Sequence, residues 1–105
     1  MSDDAPLGTF EEQVLVAVLR TKDGAYGMAV RRELESVTGR EVTIGAVYAT
    51  LDRLEAKGLV ESARSAGQPS RRVFTITPRG VDALTASRAM RDRLWRGVDL
   101  GKGKA

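Results

Sequence analysis

The chain has 105 residues, of which 42% are hydrophobic and 30% are charged, and this composition is typical of one folded domain. It contains no cysteine and no histidine, which excludes disulfides and thiolate metal sites and removes the commonest general base. No hydrophobic run is long enough to span a bilayer and the acidic N-terminus lacks a signal-like apolar run, so we expect a cytoplasmic protein without membrane contact.

The first helix is predicted to begin at Thr9, after a flexible lead-in over residues 1–8. Glu12 stands three residues after Thr9, which is the spacing of a capping box. The helix ends near Arg20, and its apolar side chains recur at helical spacing, which predicts a helix that forms the core. Its apolar face comprises Phe10, Val14, Leu15, Val18 and Leu19.

A second helix is predicted from about Tyr26 to Val37, after a turn over residues 21–25 with Asp-Gly at its centre. A short link leads from it to a third helix, and two helices joined by a tight turn suggest a helix-turn-helix unit. By itself this pattern is weak, because many small helical bundles share it. The inward positions of the second helix are Tyr26, Val30, Leu34 and Val37.

The third helix is the candidate recognition helix. Thr43 stands where a hydroxyl caps the start of a helix, and Gly58 stands where a left-handed residue ends one. The outward face is small, hydroxylated and basic, which suits close approach to a polyanion, while Asp52 and Glu55 restrict that face to one strip. The inward positions are Ile44, Val47, Tyr48, Leu51 and Leu54, and the outward strip is Thr43, Ala46, Ala49, Thr50 and Arg53.

The side chains of the outward strip suit different groups of DNA. Arg53 is the strongest candidate for a contact with a guanine or a phosphate. Ala46 and Ala49 are small enough to meet thymine methyl groups, and the hydroxyls of Thr43 and Thr50 suit either phosphate or base.

Two further side chains of the third helix keep two interpretations each. The ring of Tyr48 is predicted to be half buried, so that it either packs in the core or directs its hydroxyl to a phosphate. Lys57 is either a phosphate contact or a solvated residue at the end of the helix.

Two strands are predicted after the third helix, over Leu59 to Arg64 and Arg72 to Thr77, and we call this hairpin the wing. Residues 57–79 carry five basic side chains against Glu61 alone, a balance of +4 that suits a polyanionic partner. Three helices followed by a basic hairpin is the order of a winged helix-turn-helix domain, whose third helix enters the major groove. The wing side chains that either contact the DNA backbone or minor groove or are simply solvated are Arg64, Arg71 and Arg72.

A fourth helix is predicted from Thr77-Pro78 to about Gly97, with threonine as the cap and proline at the first helical position. It either folds back on its own core or pairs with the same helix of a second subunit. We favour pairing, because three helices and the wing already form a closed unit. Trp95 then packs an interface or lines an effector pocket, and we favour packing. The predicted dimerisation residues are Val81, Leu84, Met90, Leu94, Trp95 and Val98.

Four segments of the chain together resemble the PadR family of bacterial transcriptional regulators: LGTFEEQVLVAVLR, AYGMAVRRELE, VTIGAVYATLDRLEAKGLVES and RRVFTITPRG. The resemblance covers roughly Leu7 to Gly80, and its most specific part is the pattern of Gly, Tyr, Leu, Leu and Gly-Leu-Val from Gly45 through Val60. It implies a winged-helix homodimer that binds an inverted-repeat operator, usually represses transcription and dimerises through its C-terminal helix. Many members have a longer C-terminal region or an effector pocket, so the identity of any small-molecule effector stays open.

We therefore predict a mainly α fold with a small β-hairpin. A winged helix-turn-helix DNA-binding domain spans residues 9–77, a C-terminal dimerisation helix spans residues 78–98, and residues 99–105 form a flexible tail. The predicted function is a sequence-specific regulator, and more specifically a repressor, that binds double-stranded operator DNA as a homodimer without a cofactor.

Two other classes of protein compete with this prediction. A winged helix that binds only proteins would need an exposed apolar patch where the sequence places Thr50, Arg53 and the wing arginines. A metal-dependent nuclease would need clustered carboxylates, and the acids of this chain show no ligand-like spacing. We therefore predict that the chain is not an enzyme.

Overall fold

The computed structural model describes residues 6–22 and 24–101, which form four helices and one three-stranded antiparallel sheet. This confirms the predicted mainly α fold with a wing and a C-terminal helix. The predicted flexible lead-in and tail lie in part outside the described residues. The helices are α1 (Thr9–Arg20), α2 (Gly27–Thr38), α3 (Ile44–Ala56) and α4 (Pro78–Trp95), and the strands are β1 (Ala25–Tyr26), β2 (Val60–Arg64) and β3 (Arg72–Ile76).

The core lies between the first three helices and the inner face of the sheet. Leu15 of α1 and Leu51 and Leu54 of α3 are fully buried, and Phe74 of β3 belongs to the same buried cluster. Helical spacing places these leucines on the inner faces, as the sequence predicted. Val37 was predicted to face inward, but it is 56% exposed at the last turn of α2, beyond the edge of the core.

The start of α1 differs by one residue from the predicted capping box. Gly8 is the cap, and the Glu11 carboxylate accepts a hydrogen bond from the Gly8 amide at 2.9 Å. The predicted pairing of Thr9 with Glu12 is therefore wrong, because the chain is already helical at Thr9. Glu12 instead accepts a hydrogen bond from Ser87 of α4 at 2.7 Å.

Strand β1 was not predicted from the sequence. Ala25 pairs with Phe74 and Tyr26 pairs with Val73, so a two-residue strand adds a third member to the sheet in the order β1-β3-β2. Tyr26 is consequently the residue before α2 rather than an inward residue within that helix. Two residues cannot show the alternation by which strands are recognised in a sequence.

The end of α3 leads directly into the wing. Gly58 has a left-handed φ of 78°, and the Leu59 amide bonds to the Leu54 carbonyl at 2.9 Å, which is the pattern of a Schellman motif. Strand β2 begins at Val60, after a turn of only three residues, 57–59. The predicted role of Gly58 as the residue that ends α3 is therefore confirmed, and it couples the direction of the wing to the direction of α3.

Thr77 joins the wing to α4, and its loss is expected to destabilise the fold. Its hydroxyl accepts from the Gly80 amide at 3.0 Å and donates to the Gly58 carbonyl at 2.7 Å. We expect Thr77→Ala to lower the free energy of unfolding by about 1–2 kcal/mol, because both bonds are lost. Urea unfolding, monitored by circular dichroism, measures this loss of stability. The matched control is Thr85→Ala, since the exposed Thr85 bonds only to its own helix and its loss should change stability by less than about 0.5 kcal/mol.

Among the described residues, no helix is both long enough and apolar enough to cross a membrane.

Candidate nucleic-acid interface

The exposed face of α3 carries small side chains, one arginine and the acid Asp52, which pairs with Arg72 of the wing. Gly45, Ala46, Ala49 and Ala56 are exposed there together with Arg53. At Gly45 an added Cβ would meet no atom within 4 Å, so the surface is open on that side. Gly45 and Ala56 were not among the predicted contact residues, although their helical spacing from Ala49 places them on the same face. The result is a surface that a nucleic-acid groove can approach closely.

Thr43 lies at the start of this face, where it caps α3. Its side-chain oxygen accepts a hydrogen bond from the Ala46 amide at 3.1 Å, as the sequence predicted. A hydroxyl that accepts one bond still has its own hydrogen to donate. Thr43 is exposed, so that hydrogen remains accessible to an acceptor outside the chain.

Thr50 does not lie on the exposed face. Its residue is only 2% exposed, and its hydroxyl accepts from a terminal nitrogen of Arg53 at 3.4 Å. The expectation that it faces outward is therefore wrong. Thr50 lies three residues after Val47 and four before Leu54, which are both fully buried, so helical geometry turns it towards the core.

The ring of Tyr48 packs on the start of α2. A Cβ built on Gly27 would lie 2.3 Å from Cζ of Tyr48 and 2.4 Å from its hydroxyl oxygen. Only glycine leaves room for the ring at this point, which explains the residue at position 27. Of the two interpretations of Tyr48, this geometry supports packing, since even the hydroxyl end lies against Gly27.

Two cations at the C-terminal end of α3, Arg53 and the capping residue Lys57, share one carboxylate of α1. The Glu11 Oε2 atom lies 2.9 Å from Nζ of Lys57 and 3.5 Å from Nε of Arg53. Burial raises the pKa of Glu11, but the Gly8 amide, Lys57 and Arg53 together outweigh it and hold the pKa below its usual value. Glu11 is separated from these cations by 42 and 46 positions, and no local pattern in the sequence predicts such a contact.

Arg72 connects the base of the wing to α3. One of its terminal nitrogens lies 2.6 Å from Oε1 of Glu55 and 2.9 Å from Oδ1 of Asp52, and its guanidinium stacks over the Phe74 ring. The hydrogen bond from the Ser62 hydroxyl is the largest cause that lowers the pKa of Glu55, and the hydrogen bond from Arg72 is the next. Arg72 was predicted to contact DNA or to be solvated, but in this structure its guanidinium forms ion pairs with the two acids of α3. The wing is thereby fixed relative to α3.

The wing also contacts the start of α2. The guanidinium carbon of Arg71 lies 4.2 Å from the centre of the Tyr26 ring, and Arg32 donates to the Tyr26 hydroxyl at 2.8 Å. The hydrogen bond from Arg32 is the main cause that lowers the pKa of Tyr26. Arg64 is exposed and bonds only weakly to the Ser70 carbonyl at 3.4 Å. Arg64 and Arg71 are therefore the exposed basic side chains of the wing.

Helix α4 is attached to α1 at its middle and exposed at its end. The Glu12 carboxylate is bound by Ser87 and by Arg91, and Leu84 packs against the core. The helix thus folds back on its own domain as far as Arg91, while its last turn extends beyond these contacts. Of the predicted dimerisation residues, Leu84 and Met90 are half buried, and the exposed ones are Val81, Leu94, Trp95 and Val98.

A family model for transcriptional regulators of the PadR-like family matches residues 15–86, which is more than half of the chain. The chain belongs to the PadR-like family. This confirms the family resemblance found in the sequence. Since PadR-like proteins are transcriptional regulators, it also confirms that the chain is not an enzyme.

Two relatives and one solved structure show how far the PadR-like similarity extends. A transcriptional regulator of Mycobacterium tuberculosis is 42% identical over 74 residues, which are 70% of this chain and 68% of that protein. An uncharacterised 37.1 kDa protein of a Streptomyces fradiae transposon is 34% identical over 76 residues, which are 72% of this chain. The chain spans only 21% of that longer protein. A complex structure of RosR from H. salinarum has a TM-score of 0.72 and 30% identity, covering 93% of this chain and 82% of that one.

The matched PadR-like region contains α3 and the whole wing but not every residue of the interface. Glu11, which holds Lys57 and Arg53, lies before residue 15, where the match begins. Within the described residues, no group of three or more acidic side chains has a geometry that could hold a metal ion.

Proposed function

We propose that this PadR-like protein binds double-stranded operator DNA through α3 and the wing, and that it represses transcription. One observation carries the proposal: the exposed face of α3 presents small side chains around Arg53, its one acid Asp52 is paired with Arg72, and the face lies beside a basic wing. Small side chains permit a helix to enter the major groove deeply, where an arginine can bond to two acceptors of one guanine. We expect the exposed Arg64 and Arg71 to contact the flanking phosphate backbone.

We propose further that the protein acts as a homodimer. The last turn of α4 and the residues after it expose Leu94, Trp95, Val98 and Leu100, with exposed fractions between 52% and 67%. A second copy packed on this surface would remove that apolar area from water. A two-fold dimer presents two copies of α3, which matches an inverted repeat with half-sites about one helical turn apart. A protein that acts on the chromosome shares its compartment, so the proposed location is the cytoplasm.

Salt dependence tests DNA binding without knowledge of the operator. We expect the protein to bind a labelled duplex of unrelated sequence weakly at low salt. The logarithm of the binding constant should fall linearly with the logarithm of salt concentration, with a slope of about −0.9 for each phosphate contacted. Fluorescence anisotropy titrations at several salt concentrations give the slope. Absence of binding at low salt, or a flat profile, would contradict the proposal.

Trp95 tests the proposed dimer. We expect Trp95→Ser to raise the dimer dissociation constant by about tenfold or more, because large aromatic residues at the centre of an interface contribute most to its stability. Analytical ultracentrifugation over a range of protein concentrations measures the change. Arg88→Ser, at an exposed position earlier on α4, serves as a comparison that places the same residue on the same helix. A monomeric wild-type protein, or equal dissociation constants for wild type and Trp95→Ser, would exclude this interface.

A further inference from the structure

One buried carboxylate of α1 faces two cations that belong to the proposed DNA-binding side of α3. Glu11 contacts both Lys57 and Arg53, and its residue is only 8% exposed. A glutamate in the first turn of a helix also interacts favourably with the helix dipole. That role requires no contact with α3, so it leaves the pairing with Lys57 and Arg53 unexplained.

The acid and the cations differ in how accessible and how mobile they are. The Glu11 side chain is 11% exposed, whereas those of Lys57 and Arg53 are 43% and 57% exposed. The Gly8 amide also holds the other oxygen of the carboxylate at 2.9 Å. Glu11 is therefore fixed in place, while an anion from outside can reach both cations.

We propose that the Glu11 carboxylate competes with DNA phosphate for Lys57 and Arg53, and thereby lowers the affinity of the protein for DNA of any sequence. The inference rests on the proposed DNA binding. A phosphate that binds Lys57 or Arg53 must weaken an ion pair that already exists in the unbound protein. Phosphate contacts supply most of the affinity for unrelated DNA, so the competition acts on that part of the binding. A regulator must discriminate against a large excess of unrelated sites, and weaker backbone binding reduces the occupancy of each.

The Arg72 cluster does not offer the same competition. The Arg72 side chain is 34% exposed, and its guanidinium stacks on Phe74 and is held by two carboxylates, so it forms part of the structure that fixes the wing. Lys57 and Arg53 share a single carboxylate, which leaves a local excess of positive charge that an external phosphate can use.

The decisive comparison is Glu11→Gln against Glu33→Gln, titrated with a labelled duplex of unrelated sequence at several salt concentrations. Glutamine at position 11 keeps an oxygen that can accept from the Gly8 amide but removes the charge facing α3. Glu33→Gln removes the same charge and frees Arg20 of α1 instead. We expect Glu11→Gln to bind roughly 3- to 30-fold more tightly than wild type at low salt, with a salt slope steeper by about one to two. We expect Glu33→Gln to stay within about twofold of wild type.

The outcomes separate this inference from the proposed function. If Glu11→Gln had the same affinity and salt slope as Glu33→Gln, the competition would be overturned and the proposed DNA binding would stand. The same would follow if Glu11→Gln unfolded cooperatively, and so was folded, but bound DNA more weakly than wild type. A wild-type protein that binds no DNA at low salt would remove the proposed function itself.

A second set of variants tests the same competition through Lys57. Lys57→Gln should weaken DNA binding more in the Glu11→Gln background than in the wild-type background. In the Glu11→Gln background the Lys57 ammonium group has no ion pair with residue 11 and is fully available to phosphate. Equal losses in the two backgrounds would contradict the proposal. If Glu11→Gln does not fold, Lys57→Gln in the wild-type background decides: its loss should be smaller than that of Arg64→Gln, whose cation has no carboxylate partner among the described ion pairs. A larger loss would overturn the proposal.

Discussion

Gly80→Ala is expected to lower the free energy of unfolding by about 3 kcal/mol or more, which is a large share of the stability of a domain of this size. A Cβ at this position would lie 2.2 Å from the carbonyl oxygen of Leu59 and 2.6 Å from Cγ1 of Ile76. The Leu59 carbonyl also accepts the Thr77 amide at 3.0 Å, so it cannot move away without loss of that bond. The added Cβ would collide with the backbone and not only with a flexible side chain. The expected loss of stability therefore lies at the upper end of the range for overpacked sites.

Urea unfolding of Gly80→Ala beside Gly67→Ala measures this effect. Gly67 lies in the exposed loop of the wing, where an added Cβ meets nothing within 4 Å, and we expect a change below about 0.5 kcal/mol there. If Gly80→Ala were as stable as wild type, the start of α4 would not lie against the wing as described.

Arg53→Ala is expected to weaken operator binding by about 1–3 kcal/mol for each half-site, and a two-fold dimer contains two of them. Arg53 is the one exposed side chain in the middle of the α3 strip that can bond to two acceptors of a guanine. The loss should be smaller on unrelated DNA, because Arg53 contributes at most a phosphate contact there. Mobility-shift titrations on a selected operator and on an unrelated duplex give both values.

The control for Arg53→Ala is Arg20→Ala. Arg20 is exposed on α1 and pairs with Glu33, away from α3, so its removal changes the net charge equally without touching the proposed interface. Unchanged operator affinity of Arg53→Ala relative to Arg20→Ala would show that Arg53 does not contact a base.

The helices and their ends could be predicted because their signals are local. The apolar spacing of Val47, Leu51 and Leu54 defines the inner face of α3, and each of these residues is fully buried. Thr43 and Thr77 cap α3 and α4 through bonds to amides three residues away, which a sequence pattern records directly. The order of helices and strands then predicted the winged fold.

The rest of the site depends on contacts between distant segments. The hydroxyl of Thr50 favours an outward position, but its helical spacing from Val47 and Leu54 turns it inward, and the structure buries it. The engagement of Arg72 with Asp52, and of Glu11 with Lys57, joins separate elements and has no spacing signature. Such pairs follow from the packing of α1 and the wing against α3, which only a three-dimensional structure specifies.

The most direct test of the central claim is selection of binding sites by the purified protein from a pool of random duplexes, followed by sequencing. We expect enrichment of an inverted repeat whose half-sites lie about one helical turn apart. We also expect two protomers to bind each selected duplex. A folded protein that enriches no sequence over the starting pool would contradict the claim that α3 and the wing recognise an operator.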